Sequence, residues 1–212
     1  MSKVRVHITV SADGYVAGPN QSLENPLGEG GGSLHEWLIA LRAWREPHRM
    51  EGGEVNASTP VVEESLANVG AEIMGRGKFG GGPGPWGDDP WRGWWGEEPP
   101  FHMRVFVLTH HPREPLTLSD TMFTFVTDGI ESALAQARTA AAGNDVVVGG
   151  GASVINQYLA AGLVDELELH IVPLVLGGGA RLFDGLGPGL RLEQVRATEA
   201  PGVTHLKYRV VN

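Results

Sequence analysis

The sequence predicts an α/β fold with a mostly parallel central sheet, helices on its faces and an antiparallel C-terminal hairpin. Two observations carry this prediction. Short β-branched, apolar runs alternate along the chain with stretches of helical periodicity, an order that suits parallel strands joined by helices. Near the end, residues 190–200 and 203–211 alternate in polarity around Pro201-Gly202, as hairpins do. The length of 212 residues suits one domain over residues 1–212.

Composition restricts the class of protein. The formal net charge is −9 and there is no basic run, so nucleic acid and membrane surfaces are poor candidate partners. The chain has no cysteine, which excludes disulfides, thiolate metal sites and cysteine nucleophiles. No stretch has membrane-spanning length and the start lacks a signal-peptide pattern, so we expect a soluble cytoplasmic protein.

The first predicted strand covers residues 4–10, where apolar side chains alternate with Arg5, His7 and Thr9. It runs into the turn signal Asp13-Gly14, which puts the Asp13 carboxylate at a strand end. Two interpretations stay open: Asp13 shapes the turn by bonding nearby amides, or it belongs to a functional site. Residues 20–32 are glycine-rich and polar, and we expect a long mobile loop there that could act as a lid.

Two helices follow in the prediction. Apolar spacing indicates a helix over residues 33–45, with Ser33 as its N-cap and Glu36 completing a capping box. A second helix begins at Thr59-Pro60 and ends at Gly70.

The remaining predicted elements rest on the same two periodicities. Residues 80–100 combine glycine and proline with four tryptophans, and because tryptophan is costly to expose we expect an ordered irregular loop. The predicted strands cover residues 71–74, 105–108, 122–127, 145–148 and 164–176, and the predicted helices cover residues 130–142 and 152–162.

The segment DVVVGGG, residues 145–151, is the first candidate binding site. A buried strand of three valines leads into three glycines and then a helix. Glycine lets the backbone approach a ligand closely, and free amides at a helix start attract an anion. A purely structural turn explains a glycine triplet equally well, and the segment matches neither G-x-G-x-x-G nor the P-loop pattern.

Other strand ends carry groups suited to the same ligand. Carboxyl ends of parallel strands share one edge of a sheet, so we expect them to line one cleft. Glycine amides would hold a pyrophosphate there, and Arg76, Lys78 and His110 would hold a further phosphate, unless the two cations are merely solvated. We predict no metal site, because His110 and its neighbour His111 point apart on a strand and no carboxylate pattern supports them. The four strand ends are residues 13–18, 75–79, 109–110 and 149–151.

Taken together, these segments resemble the dihydrofolate-reductase-like superfamily, and within it the reductase domain of the bifunctional riboflavin-biosynthesis deaminase/reductase and its stand-alone relatives. They occur in the family's order and span most of the chain. The zinc signature of the deaminase half is absent, so the resemblance concerns the reductase part. The matching segments are SADGYVAG (residues 11–18), IMGRGKF (73–79), LTHHP (108–112) and the run from VVVGGGASVINQYL to GGGARLF (146–183).

The resemblance implies a three-layer α/β/α dihydrofolate-reductase-like fold that binds NADPH. It places Asp13 beside the substrate and the nicotinamide, and at Lys78 this chain has lysine where the family usually has threonine. The implied cofactor contacts are Leu108, Thr109 and His110 near the adenosine, Gly75, Arg76 and Lys78 at the 2′-phosphate, Gly149, Gly150 and Gly151 with Ser153 and Val154 at the pyrophosphate, and Val16, Ala17 and Gly18 at the nicotinamide.

The implied activity is that of an oxidoreductase which transfers a hydride from NADPH to a small heterocyclic or ribosylaminopyrimidine-like substrate, similar to 5-amino-6-(5-phosphoribosylamino)uracil reductase. Asp13 would orient the substrate or relay a proton through water. Binding a substrate with a ribose phosphate would require further cationic side chains. Arg42, Arg45 and Arg49 are candidates, although a position on a solvent-exposed helix face explains the presence of these arginines better. The alternatives are a dihydrofolate or pteridine reductase and a non-catalytic protein that binds NADPH or another small ligand. Relatives form homodimers, and we expect the C-terminal strands to supply such an interface.

Overall fold

The computed structural model describes residues 2–211. The helical segments are a 3₁₀ helix (Gly31–His35) and the helices α1 (Glu36–Ile39), α2 (Arg42–Arg45), α3 (Thr59–Leu66), α4 (Arg76–Phe79), α5 (Ile130–Ala141) and α6 (Ala152–Ala160). The strands are β1 (Val4–Ser11), β2 (Tyr15–Ala17), β3 (Val69–Gly75), β4 (Arg104–Leu108), β5 (Leu116–Leu118), β6 (Thr121–Val126), β7 (Asp145–Val148), β8 (Glu166–Val172), β9 (Ala180–Arg181), β10 (Arg191–Ala200) and β11 (Val203–Val211).

A nine-stranded sheet in the order β10-β11-β8-β1-β7-β3-β4-β6-β5 forms the centre of the molecule. The six strands from β8 to β6 in this order are parallel. Antiparallel strands close both edges, β5 on one side and the β10–β11 hairpin on the other. The predicted α/β fold with a mostly parallel sheet and an antiparallel C-terminal hairpin is therefore confirmed.

The two faces of the sheet have different coverings. Val4 and Val6 of β1 lie in the main core, which α5 and α6 cover on one face. Arg5 of β1 points to the other face, where its guanidinium donates to the carbonyls of Glu64 and Ser65 on α3. Two smaller apolar clusters lie on this second face, one around Trp37 and one around Phe79. Alternation along β1 therefore separates an apolar face from a face that carries polar side chains.

The predicted helix over residues 33–45 is wrong as a single element. The chain forms a 3₁₀ turn and two short helices instead, and Leu41 between them is extended at φ −79° and ψ 139°. A returning segment explains the break: the Arg42 amide donates to the Glu54 carbonyl at 2.9 Å, and the Glu54 amide donates to the Ala40 carbonyl at 2.8 Å. Ser33 does not cap the helix; its hydroxyl donates to the Glu36 carboxylate at 2.8 Å.

Other predicted boundaries also change. The second helix ends at Leu66, and Gly70 lies inside β3 rather than closing the helix. The strand predicted over residues 164–176 ends at Val172, because Pro173 follows and has no amide for the ladder. The small β2–β9 sheet was not predicted. No helix of residues 2–211 combines the length and the apolar character needed to cross a membrane.

Candidate functional site

The predicted strand ends meet at one edge of the sheet. β1, β7, β3 and β4 are neighbours in this order, and their carboxyl ends open onto a cleft of about 1060 Å³. Asp13, Gly18 and Gly150 are not among the residues described as lining it. The predicted site residues that do line it are Val16, Ala17, Gly75, Arg76, Lys78, Leu108, Thr109, His110, Gly149, Gly151, Ser153 and Val154.

The glycine turn before α6 packs tightly against the end of β3. The Gly75 amide donates to the Gly150 carbonyl at 2.8 Å, and the Gly149 amide donates to the Ile73 carbonyl at 2.9 Å. A Cβ on Gly75 would lie 2.7 Å from Cγ2 of Val154, and one on Gly149 would lie 2.2 Å from a carboxylate oxygen of Glu72. Side chains at these two positions would clash with Val154 and Glu72, so this close packing of the turn against β3 requires glycine.

Arg76 faces the tryptophan-rich loop. Its guanidinium donates to the carbonyls of Gly84 at 2.5 Å and Gly81 at 3.4 Å, and its central carbon lies 3.7 Å from the ring centroid of Trp86. Burial lowers the pKa of Arg76 from its ordinary value. The loop of residues 80–100 is irregular, as predicted, and its carbonyls and the Trp86 ring hold the Arg76 guanidinium.

Lys78 has different surroundings from Arg76, although both lie on the single turn of α4. Its ammonium group lies 2.7 Å from Glu72 Oε1, and this ion pair stands directly over Gly149. The structure therefore places Lys78 at the lining of the cleft, paired with a carboxylate. Sequence analysis missed Glu72; the available signal was a charged residue in the middle of the apolar run Ala71 to Met74.

The Asp13 carboxylate connects two loops through hydrogen bonds. Its carboxylate accepts hydrogen bonds from the Ser11 hydroxyl at 2.6 Å, the Leu176 amide at 3.1 Å and the Gly177 amide at 2.7 Å. The Ser11 hydrogen bond and these amides lower the pKa of Asp13 to about 2, so the group is ionised at neutral pH. The turn-shaping interpretation is thus what the geometry shows, and a catalytic role for Asp13 stays a prediction.

A second part of the cleft lining, which we call the far half, consists of side chains that were not selected from the sequence. His7 of β1 and His170 of β8 lie on its floor, with His35 and Trp37 beside them. The apolar part of the wall comes from α1, α2 and α3 and includes Leu38, Trp44, Val62 and Leu66. The available signal for His7 and His170 was a histidine at a strand position on the polar side of the alternation.

A layer of buried charge supports this floor. The His7 Nδ1 atom lies 3.4 Å from Glu168 Oε2, and Arg196 donates to the other Glu168 oxygen at 2.9 Å. Burial alone would raise the pKa of Glu168, but the neighbouring His7 and Arg196 bring it down to about 2. Burial lowers the pKa of His170 to about 3, helped by the nearby His205 and His7. Glu168 is therefore charged and His170 neutral at physiological pH.

Within the part of the chain that the structure describes, no three histidine, aspartate or glutamate side chains are grouped so as to hold a metal ion. His102 pairs with Asp120 at 2.8 Å instead.

Comparison with known proteins gives a family match along nearly the whole chain. The model of the family described as RibD C-terminal domain matches residues 2–206. Among curated proteins, the uncharacterised protein YyaP of Bacillus subtilis (strain 168) is 40% identical over 67 residues, a stretch that covers 31% of this chain and 36% of YyaP.

Solved structures share the fold at low sequence identity. A protein provisionally assigned to riboflavin biosynthesis from Shewanella sp. PV-4 matches with a TM-score of 0.64 and 21% identity, over 99% of both chains. A diaminohydroxyphosphoribosylaminopyrimidine deaminase/5-amino-6-(5-phosphoribosylamino)uracil reductase from Thermotoga maritima matches with a TM-score of 0.59 and 13% identity, over 99% of this chain and 57% of that one. Dihydrofolate reductase from Enterococcus faecalis, complexed with NADP(H) and RAB-propyl, matches with a TM-score of 0.53 and 13% identity, over 99% and 97% of the two chains.

Proposed function

Since the chain belongs to the RibD C-terminal domain family, we propose that it is an NADPH-dependent reductase of the RibD type that transfers a hydride to a small heterocyclic substrate. The observation that carries the proposal is the cleft at the ends of four parallel strands, where the glycine turn opens into α6. Parallel sheets bind nucleotides at this edge, and a helix N-terminus suits a pyrophosphate. The Enterococcus faecalis neighbour, whose structure contains NADP(H), supports the choice of cofactor.

The chain offers groups for each part of this cofactor. Glycine at positions 75 and 149 lets the turn pack closely against β3, and a pyrophosphate would lie against this turn, with Ser153 and Val154 following on α6. Arg76, whose guanidinium is held by loop carbonyls and the Trp86 ring, is the candidate cation for the 2′-phosphate, and His110 lies at the neighbouring strand end.

The other predicted contacts complete the path along the cleft. Leu108 and Thr109 would border the adenosine, and Val16 and Ala17 would border the nicotinamide. When bound, the cofactor supplies the hydride; the protein aligns the two reactants and keeps water out with its apolar walls. Asp13 holds the loop next to the nicotinamide side in place through its bonds to Leu176 and Gly177.

Cofactor choice can be tested at Arg76. Arg76→Gln removes the charge that would meet the 2′-phosphate, and because charge-assisted hydrogen bonds contribute roughly 1.5–3 kcal/mol, we expect NADPH affinity to fall about tenfold to a hundredfold. NADH affinity should change little. Titration of the intrinsic tryptophan fluorescence with each dinucleotide measures both constants.

The matched control is Arg138→Gln, which removes the same charge from the exposed side of α5. Equal losses of NADPH and NADH affinity in Arg76→Gln would show that Arg76 does not read the 2′-phosphate. If NADPH neither quenches the fluorescence nor raises the melting temperature of the unaltered protein, the cofactor proposal itself fails.

A dihydrofolate or pteridine reductase is the second candidate. The observation that favours it is the Glu72 carboxylate, whose side chain is 12% exposed and lines the cleft, because a buried carboxylate can accept hydrogen bonds from the ring nitrogens of a pteridine. NADPH oxidation with dihydrofolate that disappears in Glu72→Gln would support it, and absence of turnover with dihydrofolate would count against it.

A further inference from the structure

We propose that the far half of the cleft takes an uncharged heteroaromatic ring that carries no phosphate, and that His7, His35 and Trp37 hydrogen-bond this ring. The inference rests on the proposed reductase function for the role of the ring as substrate. It sets this chain apart from the Thermotoga maritima neighbour, whose named substrate carries a phosphoribosyl group.

Unpartnered polar atoms point to a ligand in this half. Among the described residues, Nε2 of His7, Nδ1 of His35 and Nε1 of Trp37 are buried without a hydrogen-bond partner, and all three side chains line the cleft. The other His7 nitrogen, Nδ1, lies 3.4 Å from Glu168. Each buried polar group left unpaired costs about 1–3 kcal/mol. Folded proteins rarely keep such groups unless water or a ligand satisfies them. These side chains line the same cavity, and a ligand with several ring donors and acceptors would satisfy their nitrogens.

His35 and Trp37 offer hydrogen bonds without charge. Burial, with a contribution from the nearby charge of Lys78, lowers the pKa of His35, so its imidazole is neutral and provides one donor and one acceptor. His170 is neutral for the same main reason, burial. Trp37 provides an indole N–H donor. Mixed neutral donors and acceptors match the edge of a pyrimidine or pteridine ring.

The surroundings hold these side chains in place. The Trp37 ring lies 5.0 Å from the ring centroids of both His170 and His205. His7 lies beside Glu168, and its ring is stacked on His170 with centroids 6.4 Å apart. Such preorganisation reduces the entropy lost when a planar ligand binds.

The cationic side chains that line the cleft already have partners or a proposed role, so none is left to bind a substrate phosphate. Arg76 and Lys78 are the lysine and arginine side chains among the described residues that line it. Lys78 is paired with Glu72, while Arg76 donates to loop carbonyls and is the candidate for the cofactor 2′-phosphate. Since proteins bind phosphate through arginine, lysine and amide donors, a second phosphate in the far half would lack a cation.

Basic side chains on and after α2 do not supply it. Arg45 donates to the Glu51 carbonyl at 2.9 Å, and Arg49 pairs with Glu98. Neither of them, nor Arg42, is described as lining the cleft.

A matched pair of ligands tests the proposal. The full-length protein, saturated with NADP⁺, is titrated calorimetrically with 5-amino-6-ribosylaminouracil, with its 5′-phosphate, and with lumazine and pterin as unphosphorylated rings. We expect at least one unphosphorylated ring to bind, and the ribosylaminouracil to bind at least about tenfold more tightly than its phosphate. The proposal is overturned if the phosphate binds as tightly as its unphosphorylated partner, or if no unphosphorylated ring binds.

A conservative variant tests the hydrogen bonds. Trp37→Phe keeps an aromatic ring but removes the N–H, and it should weaken ring binding about tenfold while the affinity for NADP⁺ stays the same. Trp91→Phe, which removes an indole N–H that bonds Phe79 outside the cleft, should leave ring binding unchanged. Equal ring affinities in Trp37→Phe and the unaltered protein would remove Trp37 from the site.

The titration with NADP⁺ separates the two proposals. The three rings are also titrated without the dinucleotide. If the unaltered protein does not bind NADP⁺, the reductase proposal is refuted. If it binds NADP⁺ but none of the unphosphorylated rings, only the ring site is refuted.

Discussion

At the scale of single residues, the most informative side chain is Asp13. Sequence analysis left two interpretations open, and the hydrogen bonds from Ser11, Leu176 and Gly177 favour the structural one. A carboxylate whose pKa is about 2, held down first by the Ser11 hydroxyl, is a poor proton donor at neutral pH. It remains able to orient a water molecule, so its catalytic role is open to a direct test.

We predict that Asp13→Asn loosens the loop more than it affects cofactor binding. The amide keeps one acceptor oxygen but loses the other, so the Leu176 and Gly177 amides cannot both stay bonded to it. Hydrogen exchange of these two amides should become faster, while NADPH affinity stays within about twofold. Ser11→Ala removes the hydroxyl that donates to Asp13 and accepts from the Tyr15 amide, but it leaves both Asp13 oxygens in place, so it should give a smaller effect in the same direction. Unchanged exchange in Asp13→Asn would contradict the structural role.

At the scale of elements, the tryptophan-rich loop forms one wall of the cleft beside Arg76. The Trp86 N–H donates to the His111 carbonyl at 2.9 Å, and the Trp91 N–H donates to the Phe79 carbonyl at 2.9 Å. The Trp86 ring lies edge-on to Phe79, with centroids 5.9 Å apart, and beneath Arg76. The irregular chain of the loop is thus fixed by indole packing and by indole hydrogen bonds.

We predict that Trp86→Ala lowers the free energy of unfolding by about 2–3 kcal/mol, somewhat less than truncation of a fully buried aromatic residue costs, because Trp86 is half-buried. It should also weaken NADPH binding, since Arg76 loses the ring on which it lies. Urea unfolding and fluorescence titration measure the two effects. Trp86→Phe retains a ring and should recover most of both; if it behaves like Trp86→Ala, the hydrogen bond to His111 matters more than the packing.

Most elements were predictable from local pattern, and the failures have identifiable physical causes. β7 and its glycine turn could be predicted because three valines, three glycines and an amphipathic segment agree with one another. The helix over residues 33–45 failed because apolar spacing continues through Leu41, whereas the break comes from pairing with Glu54, which is distant in sequence. Local periodicity cannot report such tertiary pairing.

The candidate site also has one part that could be predicted from local sequence and one part that could not. The proposed cofactor side rests on consecutive glycines and strand ends, which are visible in the sequence. The far side is assembled from β1, β8 and the segment around His35, and only the fold brings His7, His170 and Trp37 together.

At the scale of the whole molecule, the predicted homodimer stays a proposal. β10 is the outermost strand of the sheet, and Val195, at a register shift between Gln194 and Arg196, is 61% exposed. Exposed apolar side chains on an edge strand suit association with a second copy. Light scattering should give twice the 22.6 kDa of one chain, and Val195→Arg should shift the equilibrium toward monomer. A monomer at micromolar concentration would contradict the proposal.

The polar face of the sheet predicts how the stability of the molecule depends on pH. Burial, followed by the nearby His205 and His7, lowers the pKa of His170 from 6.5 to about 3, and burial lowers the pKa of His205 as well. At pH values between the two His170 pKa values, His170 is protonated in the unfolded chain but not in the folded chain. The folded state is therefore most stable relative to the unfolded state above pH 6.5, and this stability decreases as the pH falls. Glu168, with its pKa lowered to about 2, adds a loss of the same sign below pH 4.5.

We therefore expect the free energy of unfolding in urea to decrease from pH 7.5 to pH 5, by up to about 1.4 kcal/mol per pH unit for each proton taken up on unfolding. His170→Gln removes one such proton and should flatten this slope, although it also lowers the stability at pH 7.5 because the hydrogen bond between His170 and His205 is altered. His102→Gln, at an exposed histidine, serves as the control and should retain the full slope. An undiminished slope in His170→Gln would mean that His170 is protonated in the folded protein, which would place a positive charge at the floor of the cleft where a neutral imidazole is expected.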